Sequence, residues 1–109
     1  MISEKLINII KDIQIKLDNK FWNNKISQKE KILSSCVKMT EEVGELSGEV
    51  LKSFWRARKE KLDNYSNDDL KWEFADSILS VLLLAEQMWV DINEALEMKL
   101  KKIEDRGGI

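Results

Sequence analysis

Apolar residues recur at Ile2, Leu6, Ile9, Ile10, Ile13 and Leu17, which predicts a helix from Ile2 to about Lys16 with one buried stripe. Asp18-Asn19-Lys20 is expected to end it, leaving Phe21-Trp22 in a polar connector with Asn23-Asn24-Lys25. That aromatic pair reads either as a plug for one end of the core or as a flat surface for a ligand base. Ser27-Gln28-Lys29-Glu30 is a capping box with Ile26 at the staple position, and it opens a second helix running to about Trp55 or Arg58. Met39, Val43, Leu46, Val50 and Phe54 gather on one side of this helix and mark the face that packs. Gly44 and Gly48 each weaken it by ~1 kcal/mol relative to alanine, a cost whose expected use is close approach of a neighbouring helix. After a polar connector from Arg56 to Asp69, a third helix begins near Asn67 or Asp68. It is apolar nearly all round from Ile78 to Ala85, so it should be buried on several sides, which in so small a chain predicts burial by a second copy. Asp91-Ile92-Asn93-Glu94 caps a fourth helix that continues to Arg106 and stops at Gly107-Gly108. The expected fold is all-α: a four-helix bundle-like protomer over residues 1–109, assembling through its third helix into a dimer or tetramer.

Composition narrows the class. A chain of 109 residues is one domain, and 43% apolar with 35% charged residues fits a globular rather than a disordered protein. Proline is absent, which favours long helices. The formal charge of −2 gives no general attraction to nucleic acid or to an anionic membrane. The most apolar run, Ile78 to Ala85, is too short to span a bilayer. A single Cys36 excludes an internal disulfide framework and fits a reducing cytoplasm. There is no histidine, so Ser-His and Cys-His nucleophiles are excluded, as is the commonest general base.

The acidic residues are arranged rather than scattered. Glu41, Glu42 and Glu45 fall within about 100° of one another around the second helix, flanking its apolar stripe. Like charges at such spacing repel and weaken a helix by a few tenths of a kcal/mol per pair, so something should offset them. Glu73 and Asp76, three apart, stand directly ahead of the apolar run of the third helix, where unpaired charge is expensive. Facing each other antiparallel, these two acidic groups make a hard oxygen site of the type that binds Mg²⁺ or Mn²⁺. A di-iron site needs Glu-x-x-His, which this chain cannot supply. Metal-activated water is then the leading route to any chemistry.

Glu41-Glu42-Val43-Gly44-Glu45-Leu46, followed by Glu73-Phe74-Ala75-Asp76, resembles the Glu-Glu-x-x-Glu and Glu-x-x-Asp signature of MazG-like members of the all-α NTP pyrophosphohydrolase superfamily. The resemblance extends from about Phe21 to Arg106 and includes Asp91-Ile92-Asn93-Glu94-Ala95-Leu96 at the start of the last helix. It implies Mg²⁺-dependent cleavage of a nucleoside triphosphate to the monophosphate and pyrophosphate. It implies Glu42, Glu45, Glu73 and Asp76 as metal ligands, with Glu41 orienting a ligand or helping to position water. Lys102 and Arg106 would hold phosphate oxygens, and Phe21, Trp22 and Trp55 would lie near the base. Ser77 stands where such proteins usually carry an apolar residue. Two other readings are a phosphoribosyl-ATP pyrophosphohydrolase, a sister enzyme sharing the Glu-x-Ala-Asp motif, and a non-catalytic helical module that binds a protein partner.

Overall fold

The computed structural model describes residues 1–22, 25–59 and 68–107, without the side chains of residues 21, 22 and 56–59. Among the described residues there are four α-helices and no strand: α1 (Glu4–Leu17), α2 (Gln28–Lys59), α3 (Asp68–Gln87) and α4 (Ile92–Asp105). The protein is all-α, as its periodicity predicts.

Side-chain caps set the helix starts. Ser3 Oγ accepts from the Leu6 N–H at 3.1 Å, so α1 begins at Glu4, two residues after the predicted start. Ser27 Oγ accepts from the Glu30 N–H at 3.1 Å and donates to Glu30 Oε1 at 3.3 Å, closing the predicted capping box. Asp91 Oδ1 accepts from the Glu94 N–H at 3.1 Å and opens α4. At the other end of α4, Gly107 takes φ 70° and its N–H bonds the Glu104 carbonyl at 2.9 Å, the left-handed stop that glycine makes cheap. The α3–α4 corner reaches the same left-handed region without glycine, at Trp89 (φ 56°).

One boundary departs from expectation. Asp18-Asn19-Lys20 does not break the chain; a π-helical turn, Asp18–Trp22, carries the axis on from α1. The Asp18 N–H reaches both the Gln14 and Ile15 carbonyls, and Lys31 of α2, itself buried, places its Nζ 3.3 Å from the Asp18 carboxylate. No glycine or proline interrupts this stretch, so the backbone widens rather than ends.

Packing is centred on α2 against α3, with α1 lying on α3. Ile10 and Leu82 are the buried hydrophobic residues among those described. The expected α2 face is only partly covered: Met39, Leu46 and Val50 are half-buried, whereas Val43 and Phe54 are exposed. Ile78 and Val81 of α3 are also open within the protomer. The glycine expectation fails here too. A Cβ added at Gly44 or Gly48 meets nothing within 4 Å, so neither accommodates a neighbouring helix of the same chain. The fourth helix has no buried residue. Its start is tied to the amino terminus, where Asn93 Oδ1 accepts from the Ile2 N–H at 3.0 Å and Asn93 Nδ2 donates to the Ile2 carbonyl at 2.9 Å. Cys36 is a free, half-buried thiol. No helix of the described residues is long and apolar enough to cross a membrane.

Candidate metal centre

The site is built where α2 and α3 touch. Ser77, buried in α3, donates its hydroxyl to the Glu42 carbonyl of α2 at 3.1 Å. That bond explains why a polar side chain is tolerated at a position where apolar packing is usual: the buried hydroxyl is satisfied across the helix pair. It brings the two acidic segments together. Glu42, Glu73 and Asp76 each offer one carboxylate oxygen, and these three atoms lie within 4.8 Å of one another. Glu42 is buried, Glu73 half-buried and Asp76 exposed, so the group forms a cleft with one open side.

Its electrostatics are unbalanced. Lys38, one turn before Glu42 on the same helix, places Nζ 3.0 Å from Glu42 Oε1 and 3.9 Å from Glu41 Oε2. The hydrogen bond and charge of Glu42 hold the Lys38 ammonium above its ordinary pKa. No described cation pairs with Glu73 or Asp76. Desolvation first, then the charges of Glu45, Asp76, Glu42 and Glu49, push the Glu73 carboxyl above the usual glutamate range. Two buried oxygens, Glu42 Oε2 and Glu73 Oε2, have no hydrogen-bond donor. Buried carboxylate oxygens without donors are costly for the protein alone and suit a hard divalent cation.

The remaining sequence-expected residues are distributed unevenly. Glu45 is exposed and outside the three-atom group, and its charge is among those that hold the Glu73 carboxyl above its usual range. Glu41 is exposed on the outer side, in loose contact with Lys38. Lys102 and Arg106 are exposed at the end of α4, and no described hydrogen bond or ion pair joins their side chains to the carboxylates. Trp55 is exposed and about 20 Å along the α2 axis from Glu42 at 1.5 Å per residue. Phe21 and Trp22 fall in the π-helical turn, with side chains outside the described residues. Glu49 is the addition that sequence reading passed over. Its spacing, four residues after Glu45 on the same helix, was the available signal.

This geometry agrees with comparison to known proteins. A sequence profile of the MazG nucleotide pyrophosphohydrolase domain matches residues 29–107, from the first turn of α2 to the stop of α4. The chain belongs to this family. No curated protein and no solved structure matches it significantly. Membership in the MazG family carries nucleotide pyrophosphohydrolase activity as the general function of the domain. Both halves of the carboxylate group, on α2 and α3, lie inside the matched span.

Proposed function

We propose that this MazG domain is a Mg²⁺-dependent nucleoside triphosphate pyrophosphohydrolase that cleaves (d)NTP between the α and β phosphates, giving (d)NMP and pyrophosphate, with Mn²⁺ able to replace Mg²⁺. The observation that carries the proposal is the convergence of Glu42, Glu73 and Asp76 with two buried oxygens left without donors. In this reading Glu42, Glu73 and Asp76 hold the cation and Glu45 joins them from the rim. A divalent ion held there supplies charge neutralisation and a water of lowered pKa. Phosphoryl transfer asks the protein chiefly for positioning and electrostatic compensation, which this cleft can meet with acidic residues alone on the metal side. Glu41, outside the cleft, orients the hydrated side of the site. Lys102 and Arg106 take phosphate oxygens from α4, and Phe21, Trp22 and Trp55 are the aromatic candidates for contact with the base.

We further propose that the active unit is a homodimer or a dimer of dimers, formed from residues 1–109 as one domain and working in the cytoplasm. The accessible surface of 8663 Å² exceeds the roughly 6300 Å² of a compact monomer of 12.8 kDa. The excess is of the size that a sizeable protein interface removes from one partner.

The test is pyrophosphate release from a panel of ordinary and damaged (d)NTPs and phosphoribosyl-ATP with Mg²⁺. Glu42→Gln, Glu45→Gln, Glu73→Gln and Asp76→Asn are each expected to lower turnover by at least about 100-fold, since even outer partners of a metal site cost 10–100-fold. Mn²⁺ at a hundredfold excess over its Kd is expected to stabilise the wild type by about 2.7 kcal/mol. Full turnover in Asp76→Asn removes the site assignment. If Mg²⁺ raises neither melting temperature nor nucleotide affinity, the domain is a helical binding module instead. Selective turnover of phosphoribosyl-ATP moves it to the sister activity.

A further inference from the structure

Helix α2 is apolar on two sides, and the protomer covers one of them. Met39, Leu46 and Val50 are half-buried on the side that packs. Leu33, Val37, Leu51 and Trp55 lie elsewhere and are 54%, 60%, 65% and 59% exposed. At about 100° per residue, these four and Gly44 fall within about 40° of one another. The centre of their stripe stands roughly 120–160° around the helix from Met39, Leu46 and Val50. The stripe runs for about 33 Å along the axis. Its middle is open within the protomer, since a Cβ added at Gly44 meets nothing within 4 Å. An apolar strip of this length on an otherwise charged surface marks an interaction face.

Two features identify what covers it. The first is symmetry. Counted from Gly44, Val37 and Leu51 lie seven residues to either side, and Leu33 and Trp55 eleven. Turning the helix end for end about Gly44 therefore lays apolar positions on apolar positions. A two-fold interface demands that self-complementarity, whereas an unrelated partner does not. The second feature is area. The accessible surface of 8663 Å² stands roughly 2400 Å² above that of a compact monomer of this mass. A standard interface removes only about 800 Å² from each partner.

We infer that this face of α2 joins two copies of the chain, their helices crossing antiparallel on a two-fold axis at Gly44. Val37 then meets Leu51 of the partner subunit, and Leu33 meets Trp55 of the partner subunit. A shallow crossing of about 20° keeps the strips in contact along their whole length. Glycine leaves only a hydrogen at the crossing, so the two backbones approach closely. That is the return on its low helix propensity which the single protomer does not give. Gly48, about 40° off the centre of the stripe, points to its edge rather than to the crossing. Thr40 donates its hydroxyl to the Cys36 carbonyl at 3.0 Å, so covering it strands no donor. Glu41 and Lys52, about 60–80° from the centre, fall at a polar rim. Glu42 lies about 160° around the helix from Gly44, so each carboxylate cleft opens away from the partner. The inference rests on the assembly proposed above and names the face it uses. The exposed apolar residues of α3 and α4 are left for the second contact of a dimer of dimers.

The experiment uses the full chain, with light scattering across a dilution series and cysteine crosslinking. Val37→Glu buries an unpaired charge in the interface and is expected to raise the half-dissociation concentration about a hundredfold or more. Gly44→Leu, which wedges the crossing apart, is expected to halve the mass at micromolar concentration as well. Both side chains point into open space within the protomer, so helicity and Mn²⁺ affinity are expected to stay at wild-type values. In a Cys36→Ser background, Gly44→Cys is expected to give a disulfide-linked dimer on mild oxidation, because its two copies meet at the axis. Ser34→Cys, whose copies lie about 30 Å apart along the antiparallel pair, is expected to give none. Wild-type mass in both interface variants overturns the inference and leaves assembly to another face, as does crosslinking at residue 34 and not at residue 44. A monomeric wild type overturns the assembly reading, and this inference with it.

Discussion

At the scale of single residues, Glu73 carries the clearest consequence of the arrangement. Its carboxyl is held above the ordinary glutamate value by desolvation and four acidic neighbours. A carboxyl whose folded pKa is raised binds its proton more tightly in the native state than in the unfolded chain. Metal-free stability should therefore fall as pH rises from the ordinary glutamate value through the raised one, and recover on acidification. Urea midpoints measured from mild acid to neutrality should show that decline in the wild type and lose it in Glu73→Gln. At neutral pH, Mn²⁺ should raise the midpoint of the wild type and not of the variant. The acidic residues themselves were legible in the sequence, because three- and four-residue spacing fixes which carboxylates share a helix face. Their division of labour was not. Glu42 is buried while Glu41, about 100° away around the helix, is exposed, and the shared acidic arc alone did not say which end of it meets α3; Ser77 gave no local sign that it would bond to another helix.

At the scale of elements, the helices follow from caps and punctuation: Ser27 and Asp91 open α2 and α4, and Gly107 closes the last. The π-helical turn after α1 had no such marker, since Asp18 is held by Lys31 from the start of the next helix. Periodicity likewise predicted that Val43 and Phe54 share a face, but it could not say whether one protomer covers that face. The two α2 glycines sharpen the point. Their spacing suggested a helix crossing, whereas a Cβ at Gly48 has open space around it. Gly48→Ala is expected to stabilise the protein by roughly 0.5–1 kcal/mol through helix propensity alone. Chemical unfolding of the two proteins measures this directly, and a loss of stability would mean that the position is closely packed after all.

At the scale of the whole molecule, the protomer is more open than its length requires. Its radius of gyration is 17.5 Å, against about 13 Å for a compact chain of this size. Exposed Trp72, Phe74 and Ile78 on α3 and Leu96 and Met98 on α4 leave apolar surface that a second copy can cover. Light scattering at micromolar concentration is expected to give a mass of twice or four times 12.8 kDa. A monomer mass would contradict the assembly proposed above. Within each copy, the alignment of the two central helices has its own gauge. Sliding α3 along α2 by a single turn shifts its acidic pair by about 5.4 Å, which is more than the 4.8 Å now enclosing all three oxygens. The link between a serine hydroxyl and a main-chain carbonyl thus works as a vernier, marking the setting of two long rods at which the three oxygens converge.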